Sequence, residues 1–179
     1  SVNRYIIFIL IISLLMTILV GCSDKSLLKE QLVSSNIDKI RIVTAMGNPE
    51  YGADSKTITS PDEIKSLIDT FNSAKIGKKV REIDLGIGMT SKYSFYSDDE
   101  VIAKFEFNVN DTNVIWYNDN YYYVEYGKGL KTPYELYENS TAEIVVVNEN
   151  GDEMTRPTDW KNEQNRGLLN FNLFVRVWE

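Results

Sequence analysis

Histidine is missing from all 179 residues of the chain, and cysteine occurs once, at Cys22. The first absence removes the usual general base near neutral pH, the commonest metal ligand and every imidazole-activated nucleophile. The second excludes an intrachain disulfide. Neither a G-x-S-x-G elbow nor a P-loop is present, no acidic run has EF-hand spacing, and Gly86-Ile87-Gly88 lacks the third glycine of a dinucleotide site. Repeats and low-complexity tracts are absent too. Lys and Arg number 19 against 26 Asp and Glu, a net charge of −7. The basic residues read as scattered, which argues against nucleic-acid binding and against a polybasic membrane patch. These absences leave no catalytic residue, no metal and no cofactor to assign.

What the chain does have begins at its start. Arg4 is followed by an apolar run from Ile6 to Val20, broken only by Ser13 and Thr17, and then by small Gly21 and Cys22. A basic residue, a hydrophobic stretch and a small residue before a processing point have the order of an export signal. The run is shorter than the ~20 apolar residues that span a bilayer comfortably, so a permanent transmembrane helix is the second reading. Leu19-Val20-Gly21-Cys22 resembles a bacterial lipobox. That resemblance implies a diacylglyceryl group on the Cys22 thiol, cleavage before Cys22, and a mature chain anchored by lipid at the outer face of the cytoplasmic membrane. Two acyl chains hold a protein stably, where one does so only marginally. Losing residues 1–21 removes Arg4 and no acid, taking the charge from −7 to −8.

The expected organisation is a signal peptide over 1–21 and a lipidated N-terminus and tether over 22–36. An α+β domain follows over 37–139, with a C-terminal β extension over 140–179 packed on it. In the tether, Leu27, Leu28 and Leu32 have the spacing of one or two helical turns, with disorder as the alternative. Ile40, Ile42 and Thr44 alternate with Lys39, Arg41 and Val43, which predicts a strand. A short strand is expected over Lys56 to Thr59. Ser60-Pro61-Asp62-Glu63 has the form of a capping box. Ile64, Leu67, Ile68 and Phe71 then recur at helical spacing until Gly77, a plausible stop. Thr132-Pro133-Tyr134-Glu135 repeats the device for a shorter helix through about Glu138.

Between these helices, short alternating runs predict a meander over Val80–Ile87, Ser91–Ser97, Val101–Val109, Asn113–Tyr117 and Tyr121–Tyr126. Glu143–Asn148 reads as a strand followed by an Asn150-Gly151 turn, and alternation over Leu169–Val177 predicts a closing strand. The fold class is α+β: an antiparallel meander sheet on one main helix, with a second short helix and a C-terminal strand extension. From the Ile37 strand through SPDEIKSLIDTF to YYYVEYGKGLKTPYELYENST, the exported part resembles small Gram-positive lipoproteins of unknown function. The resemblance implies an extracytoplasmic α+β domain and no reaction.

The candidate binding residues are Tyr117, Asn118, Asp119, Asn120, Tyr121 and Tyr123, a hairpin with aromatic flanks. If Asn118 to Asn120 form a three-residue loop, Tyr117 and Tyr121 share a side with Ile115 and Tyr123. Val114, Trp116, Tyr122 and Val124 then take the other; a two-residue turn reshuffles both sides. Such aromatics stack on sugars or anchor protein interfaces, while cross-strand packing alone is the simpler account of them. The leading expectation is a non-catalytic module binding an envelope protein or cell-wall glycan. A carboxylate-based hydrolase and an accessory or inhibitory lipoprotein of a membrane complex are the alternatives. Asp98-Asp99-Glu100, Asp111 and the 148–153 turn are the acidic clusters considered for calcium.

Replacing Cys22 by Ala is expected to abolish fatty-acid labelling and release the protein from the membrane fraction of expressing cells; unchanged labelling and retention would refute the lipobox reading.

Overall fold

The computed structural model describes residues 25–45, 49–81, 90–108 and 113–158. The signal sequence and Cys22, most of the Val80–Ile87 strand, Asp111 and the closing strand over Leu169–Val177 lie outside the described residues. Among the described residues, eight strands form one antiparallel sheet: β1 (Lys39–Ala45), β2 (Ala53–Ile58), β3 (Lys75–Lys79), β4 (Thr90–Ser97), β5 (Glu100–Asn108), β6 (Val114–Tyr117), β7 (Asn120–Glu125) and β8 (Ile144–Val147). Their spatial order is β3-β7-β6-β5-β4-β1-β2-β8. Strands β4 to β7 are the expected meander, and β1 pairs with β4 so that the N-terminal hairpin extends it.

Helix α1 (Pro61–Ser73) connects β2 to β3, and five strands lie between those two in the sheet. Thirteen helical residues rise about 20 Å at ~1.5 Å each, and neighbouring strands are ~4.8 Å apart, so the helix covers much of the width it must cross. Ile64, Leu67, Ile68 and Phe71 are buried along its apolar face. Phe71 reaches the centre, with its ring 5.6 Å from Tyr93, 5.0 Å from Phe95, 4.7 Å from Phe105 and 5.6 Å from Phe107. The register explains the gathering: Ile40 opposes Phe95, Ile42 opposes Tyr93, and Tyr93 opposes Phe105, so these side chains share one face. The sheet is thus sealed on the helix side.

Helix α2 (Pro133–Asn139) starts as its sequence predicts. Glu135 N–H donates to Thr132 Oγ1 (3.2 Å) and Thr132 N–H donates to Glu135 Oε2 (2.7 Å), a complete capping box. The equivalent box at Ser60 does not form. Ser60 caps α1 without a side-chain bond, and Glu63 turns to tertiary partners, accepting from Thr141 N–H (2.8 Å) and Thr141 Oγ1 (3.2 Å). A carboxylate gains more from two donors on a neighbouring segment than from its own N-cap.

Three further expectations change. The helix does not run to Gly77: α1 ends at Ser73, and Gly77 lies within β3, which pairs with β7 on the far edge. The β2 strand starts at Ala53, earlier than the sequence suggested. The tether forms no helical turn over Leu27 to Leu32, its helical piece being a 3-10 turn over Ser34–Asn36, and it is not free from Lys25 onward: Leu27 is buried, Leu27 N–H donates to Ala74 O (2.9 Å) and Ile76 N–H donates to Lys25 O (2.8 Å). Asn72 then clamps Leu32, accepting from its N–H and donating to its carbonyl, both at 2.8 Å. At the other edge, Met154 N–H donates to Val146 O (2.9 Å) and Val147 bridges to Glu153, so the segment after β8 shields that strand. Covered edges resist pairing with other chains.

Phe71→Ala is expected to cost about 3–5 kcal/mol, as the removal of a fully buried ring does. Urea unfolding should show this as a lower midpoint, and a loss below about 1 kcal/mol would show that the four surrounding rings close the gap.

Candidate functional site

Two residues, Asn118 and Asp119, turn β6 into β7, both with left-handed backbone (φ 47° and 59°). Asn and Asp accept that conformation more readily than other side-chain-bearing residues, and a turn of this hand matches strand twist. Asn120 belongs to β7, opposite Tyr117, so the three-residue loop is corrected to a two-residue one. Trp116 therefore opposes Tyr121, Ile115 opposes Tyr122, and Val114 opposes Tyr123. Ile115, Tyr117, Tyr122 and Val124 face the helices, where Ile115 and Val124 are buried and the two tyrosines pack against the main cluster. Val114, Trp116, Tyr121 and Tyr123 face the other way.

Tyr117 is thus separated from Tyr121 and Tyr123, with which the longer loop grouped it, and Trp116 takes its place beside them. The Trp116 and Tyr121 rings meet at 4.8 Å, close to edge-on. Trp116 is 39 % exposed and Tyr123 40 %, large values for aromatics in the inner strands of a sheet. On the same face, Glu106 opposes Trp116 and Lys92 opposes Glu106, giving the row Lys92–Glu106–Trp116–Tyr121 across four strands. Burial first, and the Glu106 charge second, raise the Tyr121 phenol above its ordinary range. Gly77 in β3 lies by Tyr123, where an added Cβ would come within 3.3 Å of the Tyr123 carbonyl. The face therefore presents aromatic rings with a carboxylate and an ammonium alongside, a composition suited to stacking and hydrogen bonding with a flat polar ligand.

The other sequence-level candidates are spent on structure. Asp98 and Asp99 make the β4–β5 turn, again with positive φ. Lys39 Nζ reaches Asp99 at 2.6 Å, and this bond holds the Asp99 carboxyl below its ordinary range. In the 148–152 turn, Asn148 Oδ1 accepts from Asn150 N–H and Asp152 N–H, both at 2.9 Å, and Gly151 takes the left-handed position (φ 85°). The sequence placed that turn at Asn150-Gly151; the bond from Gly151 N–H to Asn148 O centres it on Glu149-Asn150 instead. Among the described residues, no three acids converge to hold a metal ion.

Sequence reasoning gave no hint of Lys56, which is buried on the helix side. Its ammonium donates to Tyr137 O (2.7 Å) and Ser140 O (3.3 Å) at the end of α2 and lies 4.6 Å from the centre of the Tyr137 ring. A cation against the last carbonyls of a helix meets the negative end of its dipole. Beside it, Asp54 Oδ1 sits 2.6 Å from Arg156 Nη2, and Arg156 Nε donates to Tyr51 O (2.8 Å). These groups join α2 and the C-terminal segment to β2, which makes them structural.

No family model, curated protein or solved structure matches the chain. Among the described residues, no helix is long and apolar enough to cross a membrane.

Burial, with the Asp54 charge adding to it, pushes the Tyr137 phenol up to about 12 from an ordinary 10.0, and burial raises Tyr126 and Tyr93 as well. The unfolded chain loses these protons first as pH rises past 10, so it binds fewer protons than the folded one and stability falls with pH. Urea midpoints should be level between pH 7 and 9 and decline from pH 10 to 12, with a shallower decline in Tyr137→Phe. A level profile throughout would contradict the burial of these phenols.

Proposed function

We propose that the protein is a lipid-anchored, extracytoplasmic binding module with no catalytic role, engaging an envelope protein or wall polymer through Trp116, Tyr121 and Tyr123. The observation that carries this reading is the exposure of Trp116 and Tyr123 next to Tyr121 on the sheet face that the helices leave open. Aromatic side chains with few rotatable bonds lose little entropy on binding and commonly supply most of an interface's energy. Their neighbours Glu106 and Lys92 give the patch polar partners for orientation. Tyr117, Asn118, Asp119 and Asn120 serve this site by position: Asn118 and Asp119 set the turn that selects which rings face outward, Asn120 pairs with Tyr117, and Tyr117 fills the opposite side. The export signal and the lipobox resemblance support the location.

The test is co-sedimentation with purified cell-wall sacculi, together with photocrosslinking from position 116 in intact cells to detect a protein partner. Trp116→Ala combined with Tyr123→Ala is expected to lower capture at least tenfold, as loss of aromatic anchors does. Both residues are exposed, so circular dichroism and the urea midpoint should stay near those of the parent protein. Equal capture by the parent and a folded double variant would refute this placement of the site.

A further inference from the structure

The chain as a whole is acidic, yet Lys75, Lys78, Lys79 and Arg81 fall within seven residues and all four are exposed. They line β3 and its continuation, the edge strand of the sheet. Sequence spacing alone leaves Lys25 fifty residues away, but the docked N-terminal segment brings it to the same edge. Ile76 N–H donates to Lys25 O at 2.8 Å, and Ser26 bridges to Lys75. Among the described residues, Glu125 pairs opposite Lys75, and in the sequence Asp24 and Glu82 flank Lys25 and Arg81. The reading of the basic residues as scattered is thus corrected: four cluster within 75–81, and the docked N-terminal segment adds Lys25 to them in space.

The same contacts fix where this edge stands relative to Cys22. Only Ser23 and Asp24 separate Cys22 from Lys25. At ~3.3–3.6 Å per extended residue, three steps keep Lys25 within about 11 Å of the Cys22 backbone. We propose that the β3 edge seats the domain on the bilayer, with Lys25, Lys75, Lys78, Lys79 and Arg81 against the phosphates of anionic phospholipids. This rests on the reading of Cys22 as the lipid attachment point. Lipid holds the chain to the membrane, and the basic edge sets the domain's orientation on it. Anionic headgroups attract basic residues held within a Debye length, about 8–10 Å at physiological salt.

The experiment is lysine footprinting by acylation and mass spectrometry on the mature lipidated protein, reconstituted in vesicles of phosphatidylcholine alone or with 30 mol% phosphatidylglycerol. Lys25, Lys78 and Lys79 should react about tenfold more slowly in the anionic vesicles at 0.1 M salt, and regain their rate at 1 M, where the Debye length shrinks to about 3 Å. Lys65 and Lys131 serve as controls and should react equally in both. Lys78→Glu with Lys79→Glu should restore rapid reaction at Lys25. Equal rates in the two vesicles would overturn the proposal, as would equal protection by soluble polyphosphate, which would make the partner a free polyanion. Maleimide labelling of the same sample separates the two readings. An unreactive Cys22 with equal lysine rates rejects the basic edge alone, whereas a reactive Cys22 rejects the anchor on which it rests.

Discussion

The crossing of α1 beneath the sheet is the constraint on which the remaining structure depends. Strand β2 and strand β3 are consecutive in the chain but stand near opposite edges, so the connection must traverse the sheet and bury an apolar stripe as it goes. Phe71 sits where that stripe meets the rings of β4 and β5. Because a strand's side chains alternate between faces, commitment of Tyr93, Phe95, Phe105 and Phe107 to Phe71 decides the orientation of the residues between them. Half-buried Lys92 and Glu106 take the opposite face as a consequence, with buried Ser94 on that face too. The open face exists because the helix occupies the other one.

Asn118 and Asp119 carry that decision to the last hairpin. A loop one residue longer would have put Tyr121 and Tyr123 on the same side as Ile115, against the helix, and moved Tyr122 and Val124 into solvent. The turn instead places Val124 in the core and leaves Trp116 with Tyr121 outside. Local backbone chemistry at two residues therefore determines the composition of the candidate binding surface. It also explains why a tract as dense as Tyr121-Tyr122-Tyr123 contributes to both the core and the surface.

Legibility in the sequence followed the range of the interactions. Strand β1, the meander and α1 were readable because their signals are local: alternation, helical spacing and Pro at the first helical position. The α2 box held for the same reason. Strand β3 was hidden because Lys75-Ile76-Gly77-Lys78-Lys79 has a glycine and little hydrophobicity, and its partner β7 lies more than forty residues later. Leu27 was read as part of a tether because nothing nearby shows that Ala74 will accept its hydrogen bond. Ser60 has a faultless local pattern, yet Glu63 found better donors at Thr141. For the binding site the neighbourhood was readable and the membership was not, since a single residue of loop length exchanges Tyr117 for Trp116.

The docked N-terminal segment links location to the kind of ligand the open face can meet. Tyr121 and Tyr123 lie on β7, the neighbour of β3, and Trp116 lies on β6, one strand further in. Strand spacings of ~4.8 Å place these rings only about 5–10 Å inward from the β3 edge. On the proposed lipid anchor at Cys22, the bond from Leu27 N–H to Ala74 O leaves no long stalk with which to lift that edge from the bilayer. A ligand for Trp116 and its neighbours must then be reachable at headgroup height. This favours the extracytoplasmic part of a membrane protein, or the membrane-linked end of a wall polymer, over the distant outer wall. Under that proposed anchor, the contacts that remove freedom from the tether narrow the class of partner as well, because they set how far from the membrane the aromatic surface can work.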